Sequence, residues 1–150
     1  MNILFINGSP NHNGNTAAMA GELLKGKDYE TLNLMDYRIY SYGQSFAEDQ
    51  LDEVLARMRA ADIIVIGSPL YWHNICGAVR NVLDRFYGYV NRSELSGKKL
   101  YFIFQGAAPE TWMLEAGEYT MKRFAAMYGM EYAGTITGRK TAEQLAERVR

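Results

Sequence analysis

Cysteine, histidine and proline are scarce in these 150 residues: one, two and three of them respectively. The lone cysteine, Cys76, excludes an internal disulfide framework and any multi-cysteine metal site. His12 and His73 fall in different loops with no carboxylate cluster beside them, so they do not compose a metal centre. No run is long and apolar enough to span a bilayer. The amino terminus has no basic region, and its apolar run is too short for a signal peptide. The expectation is a cytoplasmic protein with no membrane partner. A formal net charge of -1 gives no general attraction to nucleic acid or to acidic partners. Linkers rich in proline or in glycine and serine, composition breaks and repeats are also missing, which predicts one domain over residues 1–150.

What is present is an apolar share of 48%, enough for a substantial core, and 11 tyrosines. Tyrosine joins a flat face to a polar tip, which suits flat ligands and interfaces as well as packing. Short β-rich runs alternate with helical periodicity. Ile3-Leu4-Phe5-Ile6 and Ile63-Ile64-Val65-Ile66 read as strands buried on both faces, and 29–34, 100–104 and 131–137 as three more. Helices are expected over 16–25, from Leu51 through Met58, from Ile75 to Phe86 and over 110–128, with a last short one near Thr141. Ser45-Phe46-Ala47-Glu48 has the spacing of a capping box ahead of the second helix. Strict alternation predicts an α/β fold: a five-stranded, doubly wound parallel sheet with helices on both faces, whose ligands bind beyond the carboxyl ends of the strands.

Three loops of unusual composition leave those ends: Gly8 to Asn15, Ser68 to Asn74 and Gln105 to Pro109. The first offers the start of a helix and the neutral donors Ser9, Asn11, Asn15 and Thr16 to an anion. Asn15 stands where a P-loop needs lysine, so the loop does not serve a nucleoside triphosphate; neither is it a dinucleotide fingerprint. One terminal phosphate suits it, and a polar turn with an asparagine N-cap is the other reading of the same residues. In the second loop, Tyr71 or Trp72 can wall a cleft against a flat ring; alternatively they pack over the sheet edge while Asn74 caps the next helix. In the third, the small residues of Gly106-Ala107-Ala108 permit close backbone approach and Gln105 can bond a ring edge, although such residues also simply make turns.

Gly8-Ser9-Pro10 with Gly14-Asn15-Thr16, then Gly67-Ser68-Pro69-Leu70-Tyr71-Trp72, then Arg80-Asn81-Val82-Leu83-Asp84-Arg85, resemble the flavodoxin-like NAD(P)H-dependent FMN reductase and quinone reductase family, in order and spacing across most of the chain. The resemblance implies a flavodoxin-like fold with FMN as prosthetic group. Its phosphate would lie on Ser9, Asn11, Asn15 and Thr16, and its ring against Pro69, Leu70, Tyr71, Trp72 and Asn74 with Gln105, Gly106 and Ala107. It further implies NAD(P)H as hydride donor, a small-molecule electron acceptor such as a quinone or flavin, and a homodimer. A Tyr- and Met-rich helical surface over 113–132 would suit that dimer. No catalytic side chain is implied, because hydride transfer to a flavin needs no protein acid or base.

Many relatives carry a cysteine pair after the second strand. Here that segment reads Asp36-Tyr37-Arg38-Ile39-Tyr40-Ser41-Tyr42-Gly43, which excludes cysteine redox work there. Cys76 is expected as a buried thiol, and Arg80 with Asp84 as a surface pair of little worth. The competing reading is a flavodoxin-type electron carrier that does not oxidise NAD(P)H; such carriers tend to be strongly acidic, and this chain is not. A non-enzymatic regulator on the same fold is a second alternative. A phosphatase on a similar sheet would need a cysteine and an arginine in the first loop, and neither is there.

Overall fold

The computed structural model describes all 150 residues. The parallel strands are β1 (Ile3–Asn7), β2 (Glu30–Asn33), β3 (Ile63–Tyr71), β5 (Lys99–Gln105) and β6 (Glu131–Ile136). They lie in the order β2-β1-β3-β5-β6, the expected five-stranded parallel sheet. After β1 the chain moves to one side for β2 and then crosses to the other for β3. The strand order therefore reverses between β1 and β3, the position at which open α/β sheets bind ligands beyond the strand ends.

The hydrophobic pattern decides which face each helix covers. Side chains alternate along a strand, so Leu4, Ile6, Ile64 and Ile66 face one way, and Ile3, Phe5, Ile63 and Val65 the other. The first set joins a cluster of 27 buried residues beneath α2 (Leu51–Ala60), α3 (Gly77–Arg85) and α4 (Thr111–Met127). The second joins 12 buried residues beneath α1 (Asn15–Leu23) and α5 (Arg139–Ala146), so the sheet's weight of packing lies on the α2-α3-α4 face. Each fully buried aliphatic or phenyl side chain contributes about 1.5–3 kcal/mol of transfer free energy. Gly117 lets α4 lie directly on the sheet: a Cβ there would stand 2.2 Å from the Phe104 ring.

Two expectations are corrected. Ser45 caps nothing; residues 45–48 are exposed and irregular, and α2 starts at Leu51, whose N–H donates to Asp49 Oδ1 at 2.9 Å. Tertiary partners override the local capping signal, because residues 38–50 are tied to α3. Arg85 donates to the Asp49 carboxylate at 2.6 and 3.2 Å and to the Tyr40 carbonyl at 2.9 Å, and Asn81 donates to the Ile39 carbonyl at 3.3 Å. The tyrosines here take separate partners: Tyr40 packs on Phe46 with ring centroids 4.5 Å apart, the exposed Tyr42 meets Tyr87 edge to face at 5.7 Å, and the Tyr37 hydroxyl accepts from Arg57 of α2.

The second correction concerns Ser68 to Asn74, which is not a plain loop. The third strand continues through Tyr71, and Asn74–Ile75 return antiparallel to it as β4, pairing Leu70 with Ile75 and Tyr71 with Asn74. The third helix accordingly begins at Gly77 rather than Ile75. Trp72 and His73 form the two-residue connection, with φ of +46° and +67°. Both lie in the left-handed region, as a two-residue hairpin turn of matching twist requires. Asparagine and glycine are the usual occupants, so a Trp-His pair stores backbone strain.

Candidate functional site

Four buried polar side chains stand apart from an otherwise apolar interior: Asn7, Ser9, Thr16 and Ser68. Asn7 ends β1, Ser9 follows it in the loop, Thr16 is the second residue of α1, and Ser68 lies in the carboxyl-terminal half of β3. Buried polar groups cost stability unless hydrogen-bonded. Asn7 Oδ1 accepts from the Ser9 N–H at 3.1 Å, and Ser9 Oγ accepts from the Asn11 N–H at 3.1 Å. Ser68 Oγ accepts from the Cys76 N–H at 2.9 Å and donates to the Pro69 carbonyl at 2.7 Å, fixing the approach to α3. Thr16 Oγ1 accepts from Gln105 Nε2 at 3.3 Å, which ties the first loop to the third.

The backbones of β1 and β3 approach closely at the same point. The Gly8 N–H donates to the Gly67 carbonyl at 2.8 Å. A Cβ on Gly8 would stand 2.4 Å from Val79 Cγ2 and 2.8 Å from that carbonyl; one on Gly67 would stand 2.5 Å from Thr16 Cγ2. Cys76 is buried as expected, its Sγ donating to the Gly8 carbonyl at 3.5 Å.

The alternative of an asparagine N-cap fails. Gly14 occupies the cap of α1, no side chain caps the helix, and no acidic residue lies in its first turn. The first-turn N–H groups thus remain free for an outside acceptor, with the positive end of the helix dipole behind them. Asn15 is the first helical residue and is exposed, beside the buried Thr16. Asn11 shapes the turn, its Oδ1 accepting from the Asn13 N–H at 3.0 Å. His12 leans away to the turn after β2, with Nε2 3.4 Å from Asp36 Oδ1. Free N–H groups and hydroxyls, with no acidic residue in the first turn of α1, compose a donor set that suits a phosphate monoester.

The other predicted residues converge less completely. Pro69 is buried in β3 opposite Gln105 of β5, and a Cβ on Gly106 would meet Leu70 Cβ at 3.1 Å, so the second and third segments abut. Ala107 is exposed next to them. Tyr71 is 48% exposed and Trp72 95%, at the hairpin tip. Asn74 Oδ1 bonds the Ile75 N–H at 2.8 Å, within the hairpin itself. The tip leans on α4, where His73 meets Trp112 edge to face with centroids 5.7 Å apart. Sequence reasoning missed Asn7 and Ser68 as members of the site. A polar residue closing each apolar strand run, Asn7 after Ile6 and Ser68 after Gly67, was the available signal.

An open doubly wound parallel sheet, with a helix start free of side-chain caps at its switch point, defines the flavodoxin-like α/β class. The family described as NADPH-dependent FMN reductase matches residues 1–139, and the chain belongs to it. Membership bears out FMN as the expected cofactor. An iron–sulfur flavoprotein of Archaeoglobus fulgidus is 37% identical over 97 residues, covering 57% of this chain and 48% of that protein; the chain thus spans about half that relative's length. A second, iron–sulfur flavoprotein MJ1083 of Methanocaldococcus jannaschii, is 24% identical over 162 aligned positions, covering 93% and 84%. The solved structure of the Trp repressor binding protein from Bacillus subtilis superposes with a TM-score of 0.80 at 22% identity, covering 99% of this chain and 98% of that one, a likeness of fold. Iron–sulfur clusters are held by several thiolates. Cys76 is the only cysteine in these 150 residues and is engaged with Gly8, so they supply no such ligand set.

Proposed function

We propose that this chain binds FMN at the β1/β3 switch point. It would pass a hydride from NAD(P)H to the flavin and then electrons to a quinone-like, flavin or other small acceptor. The observation that carries the reading is the segregation of Asn7, Ser9, Thr16 and Ser68, the buried polar side chains of an apolar core, to one end of the sheet. In this reading Ser9, Asn11, Asn15 and Thr16, with the free N–H groups of α1, hold the phosphate. Pro69, Leu70, Gln105, Gly106 and Ala107 supply backbone and amide groups to the ring edge, and Tyr71, Trp72 and Asn74 border the ring on the hairpin side. Bound FMN supplies the hydride and electron chemistry; the chain supplies orientation and an open face.

A cytoplasmic homodimer belongs to the same proposal. The exposed aromatics Tyr71, Trp72 and Trp112, gathered by the contact of His73 with Trp112, support an interface at this edge. No helix is long and apolar enough to cross a membrane.

The test is to load the purified protein with FMN, remove excess ligand and add NADPH or NADH without oxygen. A yellow protein that either donor bleaches, and that a quinone recolours, is the expected outcome. A protein left colourless after loading rules the reading out. A protein that turns yellow but resists both donors, and gives a blue one-electron form on titration, is an electron carrier instead.

A further inference from the structure

The phosphate cradle is organised by a residue that does not face the ligand. Asn7 closes β1 with no exposed surface, and its Cα partners are Asn33 of β2 on one side and Gly67 of β3 on the other. The Ser9 N–H can only donate, so Oδ1 must face it, and Nδ2 then faces two oxygens. Those are Asn33 Oδ1 at 3.1 Å and the Asn11 carbonyl at 3.4 Å. One amide thus holds the start of the loop through Ser9, its apex through Asn11, and the end of the neighbouring strand.

We propose that Asn7 is the positioning residue of the phosphate site, setting the direction of the loop's N–H and hydroxyl donors from beneath, with Asn33 as its brace. The inference rests on the FMN reading above. Its chemistry requires an acceptor and a donor on one planar group. Aspartate has the same shape but only acceptors, so Asn7→Asp would set a carboxylate oxygen against the fixed Asn11 carbonyl and force the Asn33 amide to turn over. It would also place a negative charge beneath the site of a phosphate. The ring-binding segments Pro69–Leu70 and Gln105–Ala107 make none of these bonds, so damage at Asn7 should register on the phosphate and spare the ring.

The experiment compares FMN with riboflavin, which carries the same ring and no phosphate, by titration calorimetry on the full chain. For the parent protein, FMN binds more tightly than riboflavin. In Asn7→Asp that advantage falls by about tenfold or more, while riboflavin affinity stays within about threefold. Asn33→Ala leaves Asn7 in place and removes only its brace; the advantage falls by about threefold. If Asn7→Asp does not fold, the Asn33→Ala ratio decides. Equal losses for both ligands, or an unchanged FMN-to-riboflavin ratio, overturn the inference alone. A parent protein that binds neither ligand overturns the flavin reading, and this inference with it.

Discussion

The two ends of the proposed site are built in opposite ways. At the proposed phosphate end Asn7 and Ser9 are buried and chained by hydrogen bonds to the exposed Asn11, and the Gly8 N–H donates to the Gly67 carbonyl. At the ring end the conspicuous groups are aromatic, exposed and carried on a strained hairpin tip. In the proposed reading the contrast follows the ligand. A phosphate is small and constant in shape, so a rigid cradle costs little conformational entropy on binding. A ring face that must also admit a hydride donor and then an acceptor is better left open.

Breaking the rigid end should have the largest consequence. Gly8→Ala puts a methyl group against Val79 and the Gly67 carbonyl, and backbone cannot rotate out of the way. A loss of about 3 kcal/mol in denaturant unfolding is expected, together with failure to retain FMN. The next effect tests whether rigidity extends along the chain from β2. Asp49→Ala removes the partner of Arg85, at a pair whose side chains are only 16% and 17% exposed. It should cost about 1–2 kcal/mol without altering FMN affinity.

The pH dependence of the same pair has a definite sign. The Arg85 hydrogen bond, helped by the Leu51 and Tyr40 N–H groups, holds the Asp49 carboxyl below its ordinary value against the opposing cost of burial. Its stabilisation is present above the unfolded carboxyl pKa of about 3.9 and is lost as pH falls through the lower folded value. The acid limb of an unfolding profile should therefore flatten in Asp49→Ala.

Thr16→Val keeps the shape and removes the hydroxyl that Gln105 reaches. FMN affinity should fall by about 1 kcal/mol more than riboflavin affinity, as measured by calorimetry. The smallest effect belongs to the open end. Replacing Trp72-His73 by Asn-Gly suits the left-handed turn and should raise stability by about 0.5 kcal/mol. The preference for FMN over riboflavin should be unchanged while turnover of bulky acceptors shifts. A loss of that preference would mean that the two ends are not independent.

Much of this was legible in the sequence, for identifiable reasons. Strands covered on both faces show as unbroken apolar runs, so Ile3–Ile6 and Ile63–Ile66 could be read as strands of a parallel sheet; that they pair with each other came from the structure. The first loop was legible as a strand-to-helix turn with neutral donors and no lysine, the basis of the proposed phosphate site. The hairpin was not, because Trp72-His73 carries none of the residues that usually announce a left-handed turn. Ser45 misled because its capping signal is local, while Asp49 and Asn81 contacts with distant residues set where α2 begins. Asn7 was hidden for a third reason: a buried amide reads as the tail of an apolar strand until its partners, 4 and 26 residues away, are known.

The edge-to-face contact of His73 with Trp112 has an optical consequence. Trp72 and Trp112 are the only tryptophans in the chain, and both stand at the hairpin tip or against it. The protein's entire indole emission therefore originates at one border of the proposed site and none of it in the core. Changes in that signal, at wavelengths where the tyrosines are silent, report the open end of the site without any label.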